Sequence, residues 1–340
     1  MTSQVCDQMG SYASEVLQGQ IARVARPIAV PVPVPLARVG NIDLLRIVAA
    51  IGVVWFHTMD ASSRQIGYAG LPVFLLICFS LITRQSHGHT TAQFLDRRWN
   101  RLLKPWLFWS VIYGLCRLAK AVCLADPDSL GQVLSPWAIL AGTHAHLWYL
   151  PFAFAAGFLV YGINRWSLKS DSTAVALAAT VIGVLTLIEY VLSAASHRPV
   201  MPLAQWEFGL ATIPLGFAIG RSLLAPSRRT RHLLLLAISL MTLSACVILG
   251  ALGYGSGTIP YGLAVPLVCL AYGCRDRSYL LVASLAPLTL GIYLIHPMVI
   301  YGLGHVPGAN QHWTIFITLT ICISALATAG LMRTPVRKFL

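Results

Sequence analysis

Four groups of side chains in this 340-residue sequence have types and spacings that can do chemistry. The first is Asp43, Arg46 and His57, set in an otherwise apolar run. Arg46 and His57 are eleven residues apart. At about 100° per residue that is roughly three full turns, so in a helix both project from one face, about 16 Å apart along the axis. Asp43 lies one turn before Arg46 and can pair with it. The second group is Tyr293 and His296, which share a helix face at i and i+3 and precede Pro297. The third is His144, His146 and Trp148 together with the acids Glu189 and Glu207; Glu189 is the more suggestive acid because a long uncharged stretch precedes it. The fourth is Arg98 and Arg101, a basic prong whose guanidinium groups suit bidentate contact with phosphate. Each group also has a plainer explanation. Arg46 can snorkel to an interface while His57 bonds within a bundle. The histidines and acids form either one polar cavity or scattered interfacial anchors, and the arginines can be an ordinary stop-transfer cluster.

The elements that must position these residues are membrane helices. The chain is 57% apolar and only 10% charged, whereas a soluble domain carries about a quarter charged residues. Spans of about 20 apolar residues are expected at 42–59, 66–83, 105–123, 146–164, 173–194, 207–224, 232–250, 258–273, 279–303 and 313–332. The stretch 131–142 is too short to cross and is expected to lie at the interface or re-enter. Charge then sets direction. Of the 24 Lys and Arg residues, Arg46 is within the first span. With the N-terminus inside, four (Arg64, Arg117, Lys120, Arg198) fall outside and the remaining 19 inside. That bias predicts an all-α polytopic membrane protein of about ten transmembrane helices with both termini cytoplasmic. It divides into a Pro-rich segment over 1–40, a membrane domain over 41–332 and a basic tail over 333–340. His57 and His296 then lie at similar depth in the outer half, and Arg46 lies near the inner side.

The formal charge of +13 is thereby read as topology, and nucleic-acid binding is not expected. The eight cysteines show no CxxC or Cys/His metal spacing, so neither a disulfide framework nor a metal site is expected. P-loop, GxGxxG and GxSxG motifs are missing, which gives nucleotide hydrolysis and a serine-hydrolase elbow no support.

The order of motifs resembles the acyltransferase-3 family of bacterial multi-pass membrane proteins. It runs from Asp43-x-x-Arg46-x10-His57 through Gly70-Leu-Pro-Val-Phe74 with Ser80 and Ile82, then Arg98-x-x-Arg101 before Pro105. It continues with His146-Leu-Trp148-Tyr149-Leu150, Pro214-Leu-Gly216-Phe217, and Gly291-Ile-Tyr293-Leu-Ile-His296-Pro297. One departure is visible: Cys78-Phe79 stands where the family has a Ser-Gly pair. The resemblance implies transfer of a short acyl group, most often acetyl, from cytoplasmic acyl-CoA to a saccharide hydroxyl at the bacterial inner membrane. Within it, Arg98 and Arg101, with Arg46, would meet the anionic CoA. His57 would be general base on the acceptor hydroxyl or carry the acyl group covalently. Tyr293 or His296 would orient His57 or stabilise the oxyanion. CoA enters as a substrate, so no resident cofactor is expected. The alternative from another class is a transporter or flippase of a lipid-linked saccharide, which ten spans and a polar interior fit equally well; no inverted repeat supports it.

Overall fold

The computed structural model describes residues 40–58, 63–85, 90–123, 131, 133, 135–196, 199–275, 279–306 and 312–340. The Pro-rich segment, apart from Gly40, and the cations Arg198 and Arg277 lie outside the described residues.

Among the described residues the chain is helical, with no strand. This is the expected outcome for a chain that must satisfy its backbone polar groups internally in hydrocarbon. Each expected span coincides with helix: α1 (Gly40–Thr58), α2 (Gly70–Gln85), α3 (Lys104–Cys123), α4 (Tyr149–Trp166), α5 (Ser172–Ser196), α6 (Thr212–Ser222), α7 (Arg228–Leu249), α8 (Gly255–Gly273), α9 (Thr289–Gly304) and α10 (Trp313–Leu331). Eight of the helical stretches among the described residues are both long and apolar enough to cross a membrane. The other two expected spans depart from that standard for local reasons. The stretch 207–224 is broken at Ala211 between a short helix, Leu203–Leu210, and α6. The apolar part of α8 is short and contains Pro260 and Pro266.

A further difference concerns 84–104, which reads in the sequence as an inner loop. From Thr90 onward it is helix. Thr90 and Gln93 form a capping box at the start of Thr91–Arg98, each side chain bonding the other residue's backbone N–H. A π-turn over Trp99–Leu103 then joins this helix directly to α3. The stretch 131–142 fits its expectation of not crossing. Its described part ends in a single turn, Ala138–Ala141, closed by Gly142 at φ 74°, the left-handed region that favours glycine. The basic segment after α10 folds back as a 3-10 turn, Pro335–Phe339. The Trp109 indole donates to the Phe339 carbonyl at 3.0 Å, and Phe108 stacks on Phe339.

Helices α1 and α2 are central. α1 packs against α2, α8, α9 and α10, while α2 also meets α4, α6 and α8. The tightest of these contacts carries a sequence signature. The loop after α1 returns through a short helix, Arg64–Tyr68, whose Gly67 lies against Gly52. A Cβ on Gly67 would stand 2.6 Å from the Gly52 carbonyl oxygen. Only a glycine allows that approach, and it seats the last turn of α1, which carries His57.

Candidate active site

The site is assembled from α1, α9, the entrance to α4 and the π-turn before α3. Its upper layer is a group of imidazoles. The His57 ring centroid lies 5.1 Å from that of His296, His296 lies 5.8 Å from His146, and His146 lies 4.7 Å from His144. Residues expected at one depth from spacing alone are thus neighbours. His57 is exposed, His146 is buried, and His296 is fully buried.

The sequence His296-Pro297 explains how the deepest ring is held. Proline has no N–H, so Pro297 leaves the carbonyl one turn earlier, on Tyr293, without its helical donor. His296 Nδ1 takes that place at 2.8 Å, with the Ile292 carbonyl at 3.2 Å. A carbonyl oxygen only accepts, so Nδ1 carries the proton and Nε2 presents a lone pair. His296 Nε2 is buried with no partner among the described residues. Packing fixes α9 itself: a Cβ on Gly291 would overlap the Thr328 side chain of α10, at 2.2 Å from its methyl carbon.

The other two imidazoles face each other across a 2.6 Å Nδ1–Nδ1 hydrogen bond between His146 and His144. One ring must donate and the other accept, which requires that they not both be protonated. At the outer entrance to α4, burial and the Arg117 guanidinium hold His144 down to about 4, with His57 adding to the effect. Tyr113 clamps the same region. Its ring packs on His144 and His146, and its hydroxyl donates to the Leu294 carbonyl at 2.7 Å. Among the described residues no group of three His, Cys, Asp or Glu side chains is arranged to hold a metal ion.

Below this layer is a cavity of about 460 Å³ that contains Arg46, Arg98 and Arg101 together. All three arginines singled out from the sequence therefore converge. Asp43 accepts from Arg46 Nη1 at 3.2 Å and fixes it as an ion pair on α1. Arg98 closes the last α-turn of Thr91–Arg98, and Arg101 sits within the π-turn. Such turns recur at functional sites. Two lining residues were not singled out as site residues. Arg98 Nη1 donates to Cys78 Sγ at 3.2 Å, so the residue that departs from the family pattern is part of the arginine cavity. Tyr149, from the start of α4, lies between the arginines and Tyr293, with ring centroids 5.5 Å apart.

Tyr293 joins the two layers. It lines the arginine cavity, and its ring is 5.6 Å from His146 and 6.1 Å from His296. Its hydroxyl donates to the His146 carbonyl. That commitment makes Tyr293 a positioning residue, with its one proton already engaged.

The acids sort differently from their sequence ranking. Glu189 is exposed on α5. Glu207 instead lines an outer cavity of about 430 Å³ with Phe56, Tyr68, Tyr190, Gln205 and Tyr254. Phe56 connects this cavity to the imidazoles, its ring 5.1 Å from that of His57.

Neither curated proteins nor solved structures gave a match to this chain. A family model does match: the acyltransferase-3 model, described as an acyltransferase domain, covers residues 39–333 and so embraces every helix of the bundle, both cavities and the four imidazoles. With a match over nearly the whole chain, this multi-pass membrane protein belongs to the acyltransferase-3 family.

Proposed function

We propose that this membrane acyltransferase moves a short acyl group, acetyl first among candidates, from cytoplasmic acyl-CoA to a hydroxyl of a cell-surface or lipid-linked saccharide. We place it in a bacterial inner membrane. The observation that carries the reading is the stacking of two layers on one seam. Three guanidinium groups surround one cavity, and the tyrosine that forms its wall also touches the imidazole layer. Arginine forks suit the phosphates of CoA, and a neutral imidazole suits proton transfer near pH 7.

In this mechanism Arg98 and Arg101, with Arg46, hold the anionic end of the donor at the cytoplasmic mouth. The pantetheine arm carries the thioester past Tyr149 and Tyr293. His57, the accessible imidazole, takes the proton from the acceptor hydroxyl as its oxygen attacks the thioester carbonyl. The tetrahedral intermediate collapses by breaking the C–S bond, and the imidazolium returns its proton to the departing CoA sulfur. His296 offers its free Nε2 to the His57 ring and holds it in register. The two rings make no hydrogen bond in the unliganded protein, and catalytic bonds often tighten only when substrate binds.

The experiment is thioester turnover. Membranes containing the protein, given acetyl-CoA and cell-surface glycan, should release free CoA and add one acyl mass to the glycan. No CoA release and no mass change with correctly inserted protein would overturn the proposal.

A further inference from the structure

A second basic cavity lies apart from the one around Tyr149. It measures about 330 Å³, and four arginines line it: Arg84 at the end of α2, Arg228 and Arg231 in the first turns of α7, and Arg275 just after α8. The positive-inside rule explains why cations occur on this side of the membrane. It does not explain why residues from three separate segments gather around one concavity.

Electrostatics makes the gathering costly as it stands. Among the described residues no carboxylate comes within ion-pair distance of any of the four, the ion pair found being Asp43–Arg46. Arg231 Nε is buried without a partner, and Arg228 Nε is turned to a neutral group, His232 Nε2, at 3.3 Å. The first turn of α7 adds to the positive potential. Unpaired N–H groups and the helix dipole already favour an anion there, yet that turn carries Arg228, Arg229 and Arg231. A neutral hydroxyl is also present: Tyr272 lines the cavity and shares a 2.9 Å hydrogen bond with Ser80.

The geometry points to a binding site for a phosphate group, held by the guanidinium forks of Arg84 and Arg231 with Arg228 and Arg275 at the rim. Phosphate oxygens match such forks in pairs, and a helix start is a favourable place for them. The ends of α2, α7 and α8 lie where the charge bias places the cytoplasmic surface, at headgroup level. Two sources supply this chemistry there: the phosphodiester of an anionic phospholipid, and the phosphates of a soluble nucleotide such as CoA. The site does not depend on the arginines around Tyr149 or on the acyl-transfer reading.

The test uses the full chain in lipid nanodiscs, as wild type, as R84Q/R231Q and as R84K/R231K. One arm measures retained phosphatidylglycerol against phosphatidylcholine by native mass spectrometry; the other titrates CoA in phosphatidylcholine discs. The expected result is a roughly tenfold or greater weakening of one of the two ligands in the glutamine variant, with partial retention in the lysine variant. Loss of phosphatidylglycerol alone identifies a lipid site, and loss of CoA alone identifies a nucleotide site. Wild-type binding of both ligands by R84Q/R231Q would overturn the inference. Should that variant fail to assemble, R275Q, at an exposed position, takes its place and is read in the same way.

Discussion

His57 and His296 sit with ring centroids 5.1 Å apart, one on an accessible position of α1 and the other fully buried on α9. Their unequal environments divide the work. The buried ring is locked by the Tyr293 carbonyl and cannot reach an incoming substrate, whereas the accessible one can. H57A is therefore expected to lower acyl transfer by at least about a hundredfold, the contribution of one positioned acid–base group. Normal glycan acylation at normal protein level would exclude His57 as the base.

His296 should act through His57. H296Q keeps a hydrogen-bond acceptor on a shorter, uncharged side chain, and H296L keeps only bulk. The glutamine variant is expected to retain several times more activity than the leucine variant, while both melt within a few degrees of each other. Equal activity in the two would mean that His296 contributes packing alone.

Pro297 makes the neighbouring carbonyl available, so its removal is informative. P297A restores a backbone N–H that competes with His296 Nδ1 for the Tyr293 oxygen. Thermal stability is expected to be unchanged or higher, with helix regularised, and turnover is expected to fall. A variant with both intact turnover and a raised melting temperature would show that the Tyr293–His296 bond has no catalytic role.

Arg98 is tested through the donor. R98Q is expected to raise KM for acetyl-CoA by roughly tenfold with little change in kcat, because binding that is equal in ground and transition states affects KM alone. R98K should recover only part of this, since lysine cannot bind phosphate through two parallel N–H groups. A fall in kcat with KM unchanged would move Arg98 from donor binding to the chemical step.

His144 gives a pH dependence with a definite sign. Its folded pKa of about 4 lies below the ordinary 6.5, so the unfolded chain binds more protons between these values. The stability it contributes is complete above about pH 6.5 and is lost as pH falls toward 4. H144F should flatten the decline of melting temperature between pH 7 and pH 5. An unchanged slope would show that His144 is not a source of that decline.

Much of the bundle was legible in the sequence because its signals are local. Long uncharged stretches and the sorting of cations by side need no knowledge of partners. The face shared by Arg46 and His57 followed from helical geometry, and the depth shared by His57 and His296 followed from counting residues from each span start. What stayed hidden depends on contacts between segments. Cys78 read as a mere departure until Arg98 was found bonded to it. Glu189 outranked Glu207 by its uncharged flank, but only packing shows which acid turns toward a cavity. The helix through 90–103 was obscured by its charges, which resemble a loop, although Thr90 and Gln93 carry a readable cap. The role of the His296-Pro297 pair was readable in principle, since a donor side chain before a helical proline has a carbonyl waiting one turn back.

The π-turn at Trp99–Leu103 sets a limit on the reading frame of this region. A π-turn holds one residue more than the α-helix around it. Deleting one residue there would let the helix regularise and swing everything before it by about 100° relative to α3. Arg98 would leave the cavity while every side chain kept its identity. An in-frame loss of a single codon is thus expected to be more damaging here than most substitutions, and it would go unnoticed by any comparison that scores residue types without counting them.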